Sequence, residues 1–253
     1  MQANILVQTA SMERNDWLEW RKNGIGGSDV GAIAGANPWK SPISVYLEKI
    51  GEAPKAEENE RMYWGNVLKN IVAKEFSKRT GFKVQRRNAM YQHPEHEFML
   101  ANIDRIYIKD GHVAGILECK TTNEYSKDQW EGDKIPNHYY LQVQHYLAVT
   151  GFQEAYIAAL IGGNKYVYKK INRDDELIDY FIQIGYKGLI ELARRSGQIL
   201  SITTHAVHEN DEFEFQYGLN ENLSHKPNIR GDRGEVYCYY AYATLKDGGM
   251  LLH

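Results

Sequence analysis

Apolar positions along this chain fall at helical spacing in some stretches and in short strand-like runs in others, with glycine, proline and small polar residues at the breaks. Residues 13–23 read as a helix stopped by Gly24, and Gly24-Ile25-Gly26-Gly27-Ser28-Asp29 then forms a tight loop. Ser28 is placed to cap a following helix over 30–34. Ser41-Pro42 opens another helix, with a capping hydroxyl and proline at the first helical position, and Gly51 closes it. The longest helical pattern spans 60–80, where Met62, Val67, Leu68, Ile71, Val72 and Phe76 form a largely apolar stripe expected to pack on a sheet.

That sheet follows directly. Residues 82–87, 98–109 and 112–120 read as strands, and Asp110-Gly111 between the last two is a strong hairpin signal. A helix over 138–150, ended by Gly151, precedes strands over 155–161 and 165–171 and a helix starting near Arg173. The order predicts an α/β or α+β fold with a mixed central sheet flanked by helices. Past Phe181 the character changes: strands over 201–208, 212–217 and 235–245 are separated by polar, turn-rich loops that include 227–234. There is no internal repeat and no low-complexity segment.

With 253 residues and 43% hydrophobic content, the chain can build one large domain or two small ones. Lys and Arg number 30 against 33 Asp and Glu, so no overall basic field announces nucleic acid, and any such contact must be local. Cys119 and Cys238 lie far apart and form neither a disulfide framework nor a metal-binding pair, which fits a reducing cytoplasm. Residues 1–9 lack the features of a signal peptide, and no run is long enough to span a bilayer. The expectation is a soluble, cytoplasmic protein without a membrane partner.

The candidate chemistry sits on the hairpin. In Leu100-Ala101-Asn102-Ile103-Asp104-Arg105-Ile106 a single acid interrupts an apolar strand, and the next strand presents Glu118-Cys119-Lys120. Residues two apart on a strand share a face, so Glu118 and Lys120 point the same way and the partner strand can set Asp104 beside them. Apolar flanks suggest that the acids lie at a semi-buried sheet edge. Two converging carboxylates repel each other and favour a divalent cation, and oxygen ligands of this kind suit Mg2+ or Mn2+. The main-chain carbonyl of Cys119 adds a possible ligand. Such a metal activates water and neutralises a scissile phosphate, while Lys120 orients the nucleophile or shields developing charge. The alternative is a strand whose acids and lysine face solvent or pair with one another.

Over residues 1–182 the chain resembles the YqaJ viral recombinase family, relatives of lambda-type exonucleases within the PD-(D/E)xK superfamily with its restriction-endonuclease-like core. Four motifs in order carry the resemblance. They are Trp17-Leu18-Glu19-Trp20-Arg21 leading to Gly24-Ile25-Gly26-Gly27-Ser28-Asp29-Val30; Trp64-Gly65; Asp104 with Glu118-Cys119-Lys120; and Leu141-Gln142-Val143-Gln144-His145-Tyr146. The resemblance implies a phage-type, Mg2+-dependent exonuclease that processively digests one strand of linear duplex DNA from 5′ to 3′, leaving a 3′ overhang for recombination. Arg21 and Ser28 then fall where the family binds the 5′-phosphate, a role suited to an Arg fork beside glycine-exposed N–H groups. Gln142 matches a residue near the catalytic centre. His138, Gln142 and Tyr146 share one helix face, on which His138 and Tyr146 are expected to be solvated. One position departs: four residues after Gly65 the family places a metal-facing glutamate, and here stands Lys69. At about 4 Å and an effective dielectric near 20, each unit-charge interaction is worth roughly 4 kcal/mol, so reduced metal affinity and activity are expected.

From residue 183 onward the chain instead resembles an interior piece of the RecT family of single-strand annealing proteins. The segment from Ile184-Gly185-Tyr186-Lys187 to Arg194-Arg195-Ser196-Gly197 carries the likeness, with Asp211-Glu212-Phe213-Glu214-Phe215 and Lys246-Asp247-Gly248-Gly249. Tyr186, Lys187, Arg194 and Arg195 fit DNA contact by stacking and phosphate pairing; the alternative is a short amphipathic helix with both arginines solvated. The expected organisation is an exonuclease domain over 1–182 joined to a partial RecT-like α+β segment over 183–253. Expected partners are linear duplex ends, a RecT-type annealing protein and further copies of the chain. A catalytically inactive DNA-binding remnant and a restriction-type endonuclease are the competing readings.

Overall fold

The computed structural model describes residues 3–53, 59–182, 199–208, 211–218, 237–245 and 250–252. Its elements in chain order are β1 Asn4–Gln8, α1 Arg14–Lys22, β2 Ile25–Gly26, α2 Gly27–Ile33, α3 Pro42–Ile50, α4 Glu60–Thr80, β3 Lys83–Arg86, β4 Ala89–Gln92, β5 Met99–Ala101, β6 Arg105–Lys109 and β7 His112–Thr122. A 3-10 turn, Glu124–Trp130, leads to α5 Asn137–Thr150, β8 Glu154–Ile161, β9 Lys165–Asn172, α6 Asp175–Tyr180, β10 Ile199–His208, β11 Asp211–Gly218, β12 Tyr237–Leu245 and β13 Met250–Leu252. Two compact units result, one of residues 1–30 with 54–175 and the other of 31–53 with 176–253.

The first unit is built on a five-stranded mixed sheet in the order β3-β6-β7-β8-β9. Only β7 and β8 run parallel, and the connection between them carries α5. The β6–β7 hairpin closes through Lys109 opposite His112, with Asp110 at φ 51° and Gly111 at φ 80°, the left-handed pair that a two-residue hairpin turn requires. Alternation along β7 sorts its side chains. Leu117 and Cys119 join Tyr107, Ala158 and the α4 residues Val72, Ala73 and Phe76 in a buried cluster. Phe76 is fully enclosed by rings, with Tyr156, Tyr168, Phe82 and Tyr107 centred 5.2, 5.7, 6.3 and 6.4 Å away. Glu118 and Lys120 turn to the opposite face, where Gln142 of α5 meets them.

A second, four-stranded sheet has the order β1-β4-β5-β2, with β2 parallel to β5. The predicted strand over 98–109 is therefore two strands in two sheets, broken at Asn102, Ile103 and Asp104. An apolar run on each side of the break satisfies both sheets, so the pattern hides the crossing. The acids do not lie at a sheet edge either, since β7 is the central strand.

Two helical expectations also change. On α4 the buried residues, Val72, Ala73 and Phe76, all lie in the C-terminal half; Met62, Val67 and Ile71 are 39%, 39% and 55% exposed. Ser28 does not cap α2, which already starts at Gly27. The caps of α3 are as predicted: the Ser41 hydroxyl accepts from Ser44 N at 3.1 Å, and Gly51 is left-handed at φ 79°. In the second unit, β10 to β13 form an antiparallel sheet in the order β11-β10-β12-β13. No described helix is long and apolar enough to cross a membrane.

Candidate active site

Pairing of Arg105 with Leu117 brings the residue before β6, Asp104, alongside Glu118 on β7. Cys119 N donates to Asp104 Oδ2 at 3.2 Å, fixing the carboxylate against the strand. Lys69 Nζ donates to the other oxygen, Oδ1, at 2.7 Å. Glu118 is 2% exposed, and its Oε1 accepts from Lys120 Nζ at 2.8 Å and Gln142 Nε2 at 3.0 Å. Gln142 Oε1 accepts a second bond from Lys120 at 2.8 Å, and Gln142 Nε2 lies 2.9 Å from the Tyr146 hydroxyl. The Lys120 ammonium also sits 4.5 Å above the Tyr139 ring centre.

The sequence-predicted Asp104, Glu118, Lys120 and Gln142 thus converge, and Lys69 projects onto the acids rather than swinging away. Tyr146, expected to be solvated, is buried: α5 is covered on nearly all sides from Gln142 to Thr150, so its polar face looks inward. Burial, and next the Asp104 carboxylate, push the Glu118 carboxyl above its ordinary value against the pull of Lys120 and Lys69. Burial opposes the Lys69 ammonium, yet the Asp104 and Glu118 carboxylates prevail and raise it. The Tyr146 hydroxyl is also pushed well up, first by burial and then by the two acids.

Glu118 Oε2 is buried without a hydrogen-bond partner in the described structure. An orphaned carboxylate oxygen beside a second carboxylate is what a hard cation satisfies, and a small divalent ion needs only one or two such groups. The donor set is lean, since no cluster of three or more His, Cys, Asp or Glu suited to a metal occurs among the described residues.

The second predicted group also assembles. Arg21 Nη2 donates to the exposed Ser28 hydroxyl at 2.8 Å and to Asp29 Oδ1 at 3.3 Å, and the guanidinium lies 4.7 Å from the Trp17 ring centre. Sequence reasoning missed Asp29, which is fully buried and also accepts from Gly26 N at 3.0 Å. An acid directly after a capping serine reads as solvated; a glycine-rich approach that admits a buried carboxylate is the signal that could have found it. Glycine at 27 is required by space, because a Cβ there would lie 2.4 Å from Tyr146 Cε1. The glycine-rich loop and the carboxylate cluster are therefore joined through Tyr146 and Gln142. Tyr186, Lys187, Arg194 and Arg195 lie outside the described residues.

The mixed sheet with helices on both faces and this strand arrangement define a PD-(D/E)xK-like fold. The alkaline exonuclease of Laribacter hongkongensis, solved alone and with dAMP, shares it at a TM-score of 0.58 and 19% identity, covering 71% of this chain and 92% of that one. Residues 16–153 match the YqaJ-like viral recombinase domain, and the chain belongs to that family. It is 49% identical over 180 residues to the uncharacterized protein YqaJ of Bacillus subtilis (strain 168), covering 70% of this chain and 56% of that protein. Residues 165–252 match the RecT family. The chain is 54% identical over 66 residues to protein RecT of Escherichia coli (strain K12), covering 26% of this chain and 24% of that protein.

Proposed function

We propose that the chain is a phage-type, metal-dependent DNA exonuclease that resects linear duplex ends from 5′ to 3′ for recombination by strand annealing. The observation that carries this reading is the pairing of half-buried Asp104 with buried Glu118, which has one unpartnered oxygen and is tied to Lys120 and Gln142. Asp104, Glu118 and the Cys119 main-chain carbonyl would hold Mg2+ or Mn2+. When bound, that ion supplies Lewis acidity and charge neutralisation at the scissile phosphate.

The chain's own residues do the rest. Lys120, held by both Glu118 and Gln142, presents an ammonium to the attacking water and to the developing charge. Gln142 positions it, and Tyr146 positions Gln142. Arg21 and Ser28 hold the terminal 5′-phosphate, with Asp29 fixing the guanidinium in place. In this organisation residues 1–182 form the nuclease and 183–253 a partial RecT-like segment, with a RecT-type annealing protein as the natural recipient of the single strand.

A second reading, a DNA-binding remnant without turnover, is favoured by the Lys69–Asp104 ion pair. Incubating the protein with 5′-phosphorylated linear duplex and Mg2+ or Mn2+ decides between them. Nuclease activity predicts shortening of linear DNA, sparing of closed circles and loss of digestion in Glu118→Gln; a gel shift without shortening supports the remnant.

A further inference from the structure

Asp104 offers both of its oxygens to the protein, Oδ2 to Cys119 N at 3.2 Å and Oδ1 to Lys69 Nζ at 2.7 Å. Glu118 offers only one, and its Oε2 is the single buried orphan of the pair. Two carboxylates thereby face two ammonium groups, Lys69 and Lys120, and the cluster is formally neutral before any metal enters.

The stretch of α4 that carries Lys69 is itself fastened in place. Its neighbour on α4, Asn70, accepts a short hydrogen bond from Arg105, which is 7% exposed and follows Asp104 directly. Consecutive residues of the helix are thus fastened to consecutive residues of the chain entering β6. Two turns further on, fully buried Phe76 seats the same helix on the sheet. The Asp104 side chain is 14% exposed and the Lys69 side chain 34%, so solvent screens this ion pair only in part.

We infer that the Lys69 ammonium is a resident cation at Asp104, so that the site takes one divalent ion, centred on Glu118, and excludes a second. This rests on the metal site proposed above and specifies its stoichiometry. A second divalent ion would have to displace an ammonium paired to Asp104 at 2.7 Å and then sit beside an already neutralised cluster. The first ion meets the free Glu118 oxygen but shares Asp104 with Lys69, so its binding is weakened.

Counting bound Mn2+ by calorimetric titration and by electron paramagnetic resonance of free Mn2+, on the full chain and without DNA, tests this separately from cleavage. The wild type is expected to bind one ion. Lys69→Glu is expected to bind two, and Lys69→Met to bind one ion about tenfold more tightly, since removing the ammonium releases Asp104 without adding a ligand. Lys69→Met keeps the test open if the glutamate variant fails to fold. Two ions in the wild type, or unchanged affinity in folded Lys69→Met, overturn the inference while leaving the nuclease reading intact. No Mn2+ bound by any variant overturns both.

Discussion

Gln142→Met removes the side chain through which Lys120, Glu118 and Tyr146 are held together, while keeping an unbranched shape of similar volume. Three hydrogen bonds are lost, at 2.8 Å from Lys120, 3.0 Å to Glu118 and 2.9 Å at Tyr146. Bonds with a charged partner contribute about 1.5–3 kcal/mol each and a neutral one about 1. Lys120 and Glu118 retain each other at 2.8 Å, and Met restores packing, which brings the expected loss of stability to about 2–4 kcal/mol. At about 3 °C per kcal/mol, the melting temperature of the unit should fall by roughly 6–12 °C. Because the Lys120 ammonium loses its second anchor, kcat on 5′-phosphorylated duplex should drop about 100-fold, with KM nearly unchanged since Arg21 and Ser28 are untouched. Scanning calorimetry and initial-rate digestion measure the two effects. A melting temperature within about 2 °C of wild type, or an unaltered kcat, would refute the positioning role.

Phe76→Ala should cost about 3–5 kcal/mol in urea unfolding, and Phe76→Leu about 1, because only the alanine leaves a cavity among the four surrounding rings; a cost under about 1 kcal/mol for alanine would contradict the packing described. Burial pushes the His145 imidazole down to about 4, against its bond to the Leu100 carbonyl and the field of Asp29, with His93 reinforcing the burial. The unfolded chain protonates this histidine below about 6.5 and the folded one does not until about 4, so its contribution is complete above pH 6.5 and is lost as pH falls toward 4. That loss is on the order of 3 kcal/mol over the whole window. His145→Gln should flatten the fall in melting temperature between pH 6.5 and 4.5, and equal slopes in variant and wild type would show that other groups drive it.

Much of this was legible because local chemistry and tertiary placement agree. The bounds of α4 follow from its 3.6 spacing and Gly81, left-handed at φ 74°, and the hairpin follows from Asp110-Gly111. The period of a strand alone puts Glu118 and Lys120 on one face, and helix spacing puts Gln142 and Tyr146 together. What stayed hidden depends on what covers each residue. Tyr146 looks solvated until α5 is seen enclosed, and Asp29 looks solvated until Arg21 is seen bonded to it. The break before β6 is invisible because Leu100 and Ile106 are equally apolar although they serve different sheets.

The parallel pairing of β2 with β5 is only two residues long, Ile25 with Met99 and Gly26 with Leu100, yet it acts as a ruler. On one side of it the chain turns directly into Ser28 and Asp29; on the other, Asp104 follows Leu100 after three residues. The separation between the Arg21–Ser28 group and the Asp104–Glu118 pair is therefore gauged by main-chain hydrogen bonds, which substitutions of side chains leave in place. The distance between the two groups is written into the backbone, and the side chains at either end can vary without changing it.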